Sequence, residues 1–309
     1  MSQWVEEPFV LSYRLGEMTL FTRGFRALRL VAHYLDLPPD PGFPPPPVDR
    51  LGAVDVLLTR SHPIAERLPV VSPVGGAVRY VLNQYARHYT PLTGGFDRYL
   101  AGLSGKTRNT LRRKVKRIME SGTGSEMRSY RTTGEIEEFL RLARGVSALT
   151  YQERLLDAGL PATAEFAARL KTLAERDAVR AYLLFHEGKP IAYLCCPEED
   201  GILLYLYVGY DPGYAELSPG TVLQYLAFQA LFGEQRFRAF DFTEGEGPHK
   251  KLFGTDERLC ADIVYFAPTW SNRFWFGLHR SIDRASEYAG RVLERVGLKA
   301  IVRRLIRRL

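Results

Sequence analysis

Short runs of apolar and polar residues organise the first third of the chain. Residues 9–15 and 18–24 have the composition of strands and are separated by a short turn, so they predict a β-hairpin. The stretch 25–36 that follows is interpreted as a short helix. Two further strands are predicted at 54–60 and 77–89, which gives a small mixed α/β lobe.

A proline-rich stretch interrupts this lobe. Residues 38–47, PPDPGFPPPP, contain seven prolines in ten positions, which excludes a helix or a central strand. Because strand-like segments follow at once, a structural loop is favoured over a peptide that docks onto another domain.

Helical and strand patterns alternate in the middle of the chain. A basic helix is predicted to include residues 106–117. A strand at 127–133 and helices at 134–156 and 163–177 follow. The apolar stripe of the basic helix consists of Leu111, Val115, Ile118 and Met119.

The remaining elements complete an α+β plan. Residues 179–212 predict three strands joined by two turns, and 218–234 predict a helix that is apolar on nearly every side and therefore lies against the sheet. Strands are predicted at 237–244 and 261–268. We expect three parts, which are an N-terminal lobe (1–96), a central domain (97–267) and a C-terminal helical tail (268–309).

Composition is that of a soluble globular protein, with 46% hydrophobic and 25% charged residues. No apolar run approaches the roughly 20 residues needed to cross a bilayer. Glu6 and Glu7 stand where a signal peptide would carry positive charge, so a cytoplasmic location is expected. Three cysteines, Cys195, Cys196 and Cys260, lack the spacing of metal ligands and predict buried, inert thiols and no metal site.

The net charge of +7 is concentrated in two places. Residues 106–117 carry seven cations and 299–309 carry five, without an acid in either, and the rest of the chain is at −5. This pattern indicates two local contacts with anionic partners. The first segment suits the phosphates of a small ligand or of a tRNA, or is simply a solvated helix face. The second resembles helices that lie on anionic membranes, and packing against the protein itself is the alternative. No DNA-binding motif accompanies either segment.

The start of the apolar helix is a candidate anion site. Ser218 stands at the N-cap position and Pro219 at the first helical position. The amides of Gly220, Thr221 and Val222 are then expected to point out of the positive end of the helix.

Three stretches resemble the GNAT acyltransferase superfamily, in particular its cellulose-biosynthesis CelD/BcsL-type group, which is similar to the FemAB transferases. These stretches are LSGKTRNTLRRKVKRIMESG, YDPGYAELSPGTVLQYLAF and DFTEGEGPHKKLFG, and the resemblance covers about residues 97–266. It implies the GNAT fold, a central mixed and mostly antiparallel sheet flanked by helices. An acyl-CoA donor, acetyl-CoA or longer, would then lie across the splayed middle of the sheet, with its pyrophosphate at Ser218, Pro219, Gly220, Thr221 and Val222. The usual acetyl-CoA motif is reduced to its last glycine.

The resemblance also implies roles for residues of the loop 241–254. Its position after the fifth strand of the domain would face the reacting thioester. Lys250 matches the group's lysine, whose charge would stabilise a phosphate or an oxyanion. His249 replaces the usual tyrosine and can donate or accept a proton near neutral pH. Candidate acceptors for the proton of the amine are Asp241, Glu244 and Glu246, although Asp241 could instead satisfy neighbouring amides.

Three functions remain open from the sequence. The first is an N-acyltransferase that moves an acyl group from an acyl-CoA or acyl-carrier thioester to an amine, on a small molecule or a lipid-linked acceptor. The second is an aminoacyl-tRNA-dependent transferase on the same fold, and the third is a non-catalytic GNAT-like binding module. Polar residues at 147–154 predict an acceptor pocket that includes Tyr151 and Gln152, and an ordinary amphipathic helix is the alternative.

Overall fold

A computed structural model describes residues 3–16, 18–120, 124–150, 159–245 and 247–295. The chain divides into two compact units, the first formed by 1–85 with 259–309 and the second by 86–258. The linear division at 96 and 267 stays a prediction about folding units. Within the described ranges, no helix combines the length and hydropathy needed to cross a bilayer.

The elements are numbered in chain order. The strands are β1 Gln3–Leu15, β2 Met18–Val31, β3 Val56–Pro63, β4 Val71–Val74, β5 Ala77–Pro91, β6 Glu126–Tyr130, β7 Val179–His186, β8 Lys189–Glu199, β9 Ile202–Leu204, β10 Tyr207–Tyr210, β11 Ala239–Asp241 and β12 Asp256–Phe266. The helices are α1 Phe96–Gly102, α2 Gly105–Glu120, α3 Thr133–Ser147, α4 Ala164–Glu175, α5 Pro219–Glu234, α6 Pro248–Phe253 and α7 Trp270–Arg295. Short 3₁₀ turns occur at Tyr34–Asp36, Val48–Arg50 and Pro212–Leu217.

The predicted β1–β2 hairpin is confirmed, but the helix predicted at 25–36 is wrong. Residues 25–31 continue β2, which pairs with β1 on one side and runs parallel to β3 on the other. Phe25 and Ala27 belong to one buried cluster, whereas Leu28 belongs to a second cluster. A strand covered on both faces loses its alternation, so this sequence carried no reliable signal of period two. The segment 38–47 contains neither helix nor strand, as its prolines predicted.

The second unit has the α+β plan that the sequence predicted. Its strands follow the order β11-β9-β8-β7-β6, and all neighbours are antiparallel except β11 and β9. Helix α5 packs on this sheet and on α2, where Leu111 and Ile118 of the predicted stripe are buried in the same core as Phe228. Met119 of that stripe is exposed.

The thiols lie in the core as predicted. Cys195, Cys196 and Cys260 are buried and form no disulfide within the described residues. Burial raises the pKa of the Cys195 thiol to about 12 and also raises the pKa of Cys196. These groups are therefore protonated and unreactive at neutral pH.

The sheet of the second unit splits at its middle. β9 pairs with β11 up to Leu204 and Asp241, and the Tyr205 amide donates one more hydrogen bond to the Asp241 carbonyl at 2.9 Å. The chain then continues as β10, which pairs with β8. β10 and the chain beyond β11 separate from this point, which gives the splayed sheet that the resemblance implied.

Candidate functional site

A cleft of about 410 Å³ opens where β10 leaves β11. Its lining is mainly apolar, and its size suits a small-molecule site. Strand β10, the start of α5 and the first turn of α6 all contribute to it. The lining includes Thr150, Tyr205, Gly209, Tyr210, Gly220 and His249.

A glycine is required on the β10 side of the cleft. A Cβ at Gly209 would lie 2.6 Å from Cε1 of Tyr193 and 2.8 Å from Cγ2 of Thr150. These distances are shorter than any contact between real side chains, so β10 approaches β8 this closely only without a side chain at 209. The position of this cleft wall therefore depends on Gly209.

His249 lies in the cleft, as its place in the loop predicted. Its imidazole stands 5.2 Å from the ring of Tyr205, centroid to centroid, with the planes inclined by 36°. Partial burial, with a smaller contribution from the charge of Lys250, lowers the pKa of His249 below its ordinary value. The imidazole is therefore neutral at pH 7 and able to accept a proton.

Tyr205 is a site residue that the sequence analysis missed. Its ring packs between His249 and the aromatic core, 5.9 Å from Phe240 and 5.6 Å from Phe242. Burial raises the pKa of Tyr205, so its hydroxyl keeps its proton. In the sequence, Tyr205 cannot be distinguished from an aromatic residue of the core. Only its position at the break between β9 and β10 identifies it as a candidate site residue.

Lys250 is buried and its ammonium points into the loop. Nζ donates a hydrogen bond to the Thr243 carbonyl at 3.2 Å and another to the Glu244 carbonyl. Thr243 has a φ of 60°, which is costly for a β-branched residue. The lysine therefore holds a strained turn in place, and its predicted contact with a phosphate or an oxyanion remains a proposal.

Asp241 supports the same turn. Its carboxylate is fully buried and receives Nε of Arg87 at 3.1 Å and Nη2 at 2.6 Å. It also accepts the Thr243 amide at 2.9 Å. Because a bidentate guanidinium and a backbone amide already hold this carboxylate, its role as acceptor of the amine's proton stays a prediction. The contact with the Thr243 amide supports the alternative, in which Asp241 satisfies a neighbouring amide.

The other predicted acids and the acceptor residues contribute less. Glu244 is exposed, and its carbonyl accepts from Lys250. Glu246, Tyr151 and Gln152 lie outside the described residues, as does the tail 299–309.

The start of α5 differs from the predicted anion site. Ser218 occupies the N-cap with a left-handed φ of 55° and makes no capping hydrogen bond through its side chain. Its carbonyl accepts the amides of Thr221 and Val222 at 3.0 Å and 3.1 Å, and Pro219 has no amide hydrogen. Of the three amides predicted to be free, Gly220 alone makes no hydrogen bond within the described part of the chain, and it lines the cleft.

A buried amide lies one turn further along α5. Gln224 is 4% exposed, and neither its side-chain oxygen nor its nitrogen has a hydrogen-bond partner among the described residues. It shares a helix face with Gly220, four residues before it, and with Phe228, four residues after it. A buried polar group is costly unless it is paired, so Gln224 is a candidate for contact with a ligand.

The last turn of the basic helix α2 lies near this end of α5, and several cations of α2 are exposed. Arg117 donates to the Glu216 carbonyl at 3.3 Å and so contacts the 3₁₀ turn that leads to Ser218. Lys106, Arg112 and Arg113 are exposed. In the described chain, no group of histidine, cysteine and acidic side chains is arranged to hold a metal ion.

Comparison with known proteins supports the GNAT resemblance. The acetyltransferase (GNAT) domain family model matches residues 105–251. This stretch is therefore similar to the GNAT domain, as the resemblance predicted. Assignment to the CelD/BcsL-type group within the superfamily stays a prediction. No curated protein sequence matches the chain.

Two solved structures are similar in fold. One is the C-terminal domain (DUF2156) of a protein from Agrobacterium fabrum designated a lysylphosphatidylglycerol synthetase, with a TM-score of 0.52, 11% identity and 84% of each chain covered. The other is FemX, with a TM-score of 0.50, 9% identity, and 88% of this chain and 90% of FemX covered. At these identities the similarity shows the fold alone.

Proposed function

We propose that the protein transfers an acyl group from an activated donor to an amine in the cleft between β10 and the chain that follows β11. The observation that carries this proposal is the pair formed by His249 and Tyr205. The pKa of the histidine is lowered and that of the tyrosine is raised, although their rings are in contact. Neighbouring groups shifted in opposite directions supply a base and an acid at one pH.

The two residues have complementary roles in this reaction. The amine nitrogen attacks the carbonyl carbon of a thioester, and a carbon–nitrogen bond forms. Neutral His249 accepts the proton that the amine loses. The carbon–sulfur bond then breaks, and the leaving sulfur takes a proton from Tyr205. Transfer of the proton from His249 to Tyr205, directly or through water, restores both groups.

An acyl-CoA is the donor that we favour, with an acetyl or a longer acyl group. The mainly apolar cleft suits an extended thioester arm, and Gly220 offers an amide to a donor oxygen at the cleft wall. Gln224 lies one turn after Gly220 on α5, and its side chain would pair with the amides of such an arm, because it offers both a donor and an acceptor. The exposed cations of α2 would take the phosphates.

An aminoacyl-tRNA is the second candidate donor. The basis for it is the surface of α2, which carries seven cations in residues 106–117 and no acid. Such a surface suits a continuous phosphate backbone as well as it suits the phosphates of CoA. The start of α5, with a single free amide, is also a weaker pyrophosphate site than three amides would be.

A thermal-shift screen with CoA, acetyl-CoA, a long-chain acyl-CoA and charged tRNA distinguishes the two candidate donors. A ligand that binds the folded protein raises the protein's melting temperature. Gly220→Asp places a carboxylate at the free amide and is expected to abolish the shift by acyl-CoA. The same change at Gly233, near the other end of α5, is the control. If only tRNA stabilises the protein, and Arg112→Glu with Arg113→Glu removes that effect, the acyl-CoA proposal is wrong.

The acceptor amine is proposed to be a small molecule or a lipid-linked intermediate. A lipid-linked acceptor would agree with a peripheral contact between residues 299–309 and the inner face of the membrane. Deletion of 299–309 should then abolish salt-sensitive co-sedimentation with anionic vesicles and preserve transfer to a soluble amine. Precipitation of the truncated protein would instead indicate that the apolar face of the tail is buried.

A further inference from the structure

The first unit contains a second cavity, which is independent of the proposed reaction. It has a volume of about 390 Å³ and lies between β4, β5 and β12 on one side and α7 on the other. Its walls are almost entirely apolar and include Val71, Val78, Phe266 and Phe276. A cavity of this size and lining suits the tail of an apolar ligand.

Two arginines of α7, Arg273 and Arg280, complete the lining. Neither guanidinium forms an ion pair with a carboxylate in the described part of the chain. Nε of Arg280 is buried and has no hydrogen-bond partner among the described residues. A buried donor of a guanidinium that lacks a partner is costly, and a carboxylate or phosphate is the group that best satisfies it.

The other polar groups near this cavity are already paired. The Tyr80 hydroxyl lies 2.8 Å from Nδ1 of His279, which lies 2.9 Å from the carboxylate of Asp283. Asp283 is three residues from Arg280 on the helix but pairs with the histidine. The charge that the cavity offers to a ligand is therefore positive.

We propose that this cavity binds an anionic amphiphile with a single acyl chain. The chain lies against Phe276 and Val78, and the anionic head is held by Arg280, with Arg273 adding positive charge. Apolar walls alone would accept any apolar ligand. The two arginines, which have no carboxylate partner within the described ranges, select a negative head group.

Isothermal titration of the full chain with dodecanoate tests this proposal. We expect binding of dodecanoate, no binding of dodecyltrimethylammonium, which has the same tail and the opposite charge, and no binding of butyrate, which has the head without the tail. Equal binding of the two long-chain ligands would overturn the role of the arginines. Absence of dodecanoate binding would overturn the proposal as a whole.

Two pairs of variants of α7 locate the site. Gly277 lines the cavity, and a Cβ there would meet no atom within 4 Å, so Gly277→Leu fills the cavity without a clash at its first carbon. Gly290→Leu is the matched control on the same helix, where a Cβ is equally unobstructed.

Arg280→Gln should weaken binding by about tenfold or more, whereas Arg284→Gln, at an exposed position, should not. Wild-type affinity in both Gly277→Leu and Arg280→Gln, with unchanged melting temperatures, would place dodecanoate elsewhere.

Discussion

The rings of His249 and Tyr205 lie 5.2 Å apart across the split in the sheet of the second unit. One residue comes from the first turn of α6 and the other from the break between β9 and β10. Burial shifts the pKa of both, downward for the histidine because its charged form is a cation and upward for the tyrosine because its charged form is an anion. Each shift favours the neutral form of its group, so at neutral pH an unprotonated imidazole lies beside a protonated phenol.

If His249 is the base, the rate of transfer should fall at acidic pH. Its pKa is lowered, so the neutral base is present at pH 7 and is lost only as the pH falls below about 6.5. We expect kcat/KM of the wild type to fall on acidification with a midpoint below that value. His249→Phe should remove this limb and reduce the rate about 10²–10⁴-fold.

Replacement of His249 by tyrosine tests whether this position acts as a base or as an acid. A phenol is protonated at neutral pH and is a poor base, so His249→Tyr should lose as much activity as His249→Phe. Recovery of the rate in His249→Tyr alone would show that this position donates a proton, and the assignment of the two roles would be reversed.

Tyr205→Phe removes the hydroxyl and keeps the ring that packs against Phe240 and Phe242. The rate with an alkyl thioester should fall about 10²–10⁴-fold, since the leaving sulfur loses its proton donor. An aryl thioester has a more acidic leaving group and should lose much less. Tyr210→Phe, in the same cleft, is the control. An equal loss with both thioesters would argue against proton donation by Tyr205.

Lys250 is predicted to act by ordering the loop. Lys250→Met keeps most of the side-chain volume but leaves the carbonyls of Thr243 and Glu244 without their donor, at a cost of about 1–3 kcal/mol in the free energy of unfolding. We expect faster hydrogen exchange of the Thr243 amide together with a loss of transfer. Lys251→Met, at the exposed neighbouring position, should change neither. Loss of transfer with normal protection of that amide would instead support direct contact of Lys250 with the substrate.

Gln224 gives opposite predictions for stability and binding. Gln224→Leu replaces a buried amide that has no hydrogen-bond partner in the part of the chain that the structure describes, so the free energy of unfolding should rise by about 1–2 kcal/mol. Affinity for the donor should fall, because the amide that would pair with the donor is lost. Gln229→Leu, on the exposed face of the same helix, should leave affinity unchanged. Higher stability with unchanged donor affinity would exclude Gln224 from the donor site.

Local pattern determined much of this fold. The stripe of α2, the all-round apolar character of α5 and the turns between β7, β8 and β9 are properties of residues close in the chain, and the corresponding elements were predicted near their observed positions. The loop that carries His249 was also marked by its composition, because titratable residues between glycines stand out against a buried strand. In such cases the periodicity or composition of a short stretch is sufficient to predict the element.

Tertiary structure decided which of those residues are available for chemistry. Asp241 and Lys250 are charged in the sequence and were predicted to face the substrate, but Arg87, 154 positions before Asp241, takes the carboxylate. The carbonyls of the turn take the ammonium of Lys250. Tyr205 became a candidate only through the separation of β10 from β11. Residues 25–31 became a strand because β1 and β3 pair with its two edges. The physical reason is the same in each case, since pairing, burial and pKa depend on groups that are distant in sequence, and a local pattern contains no information about them.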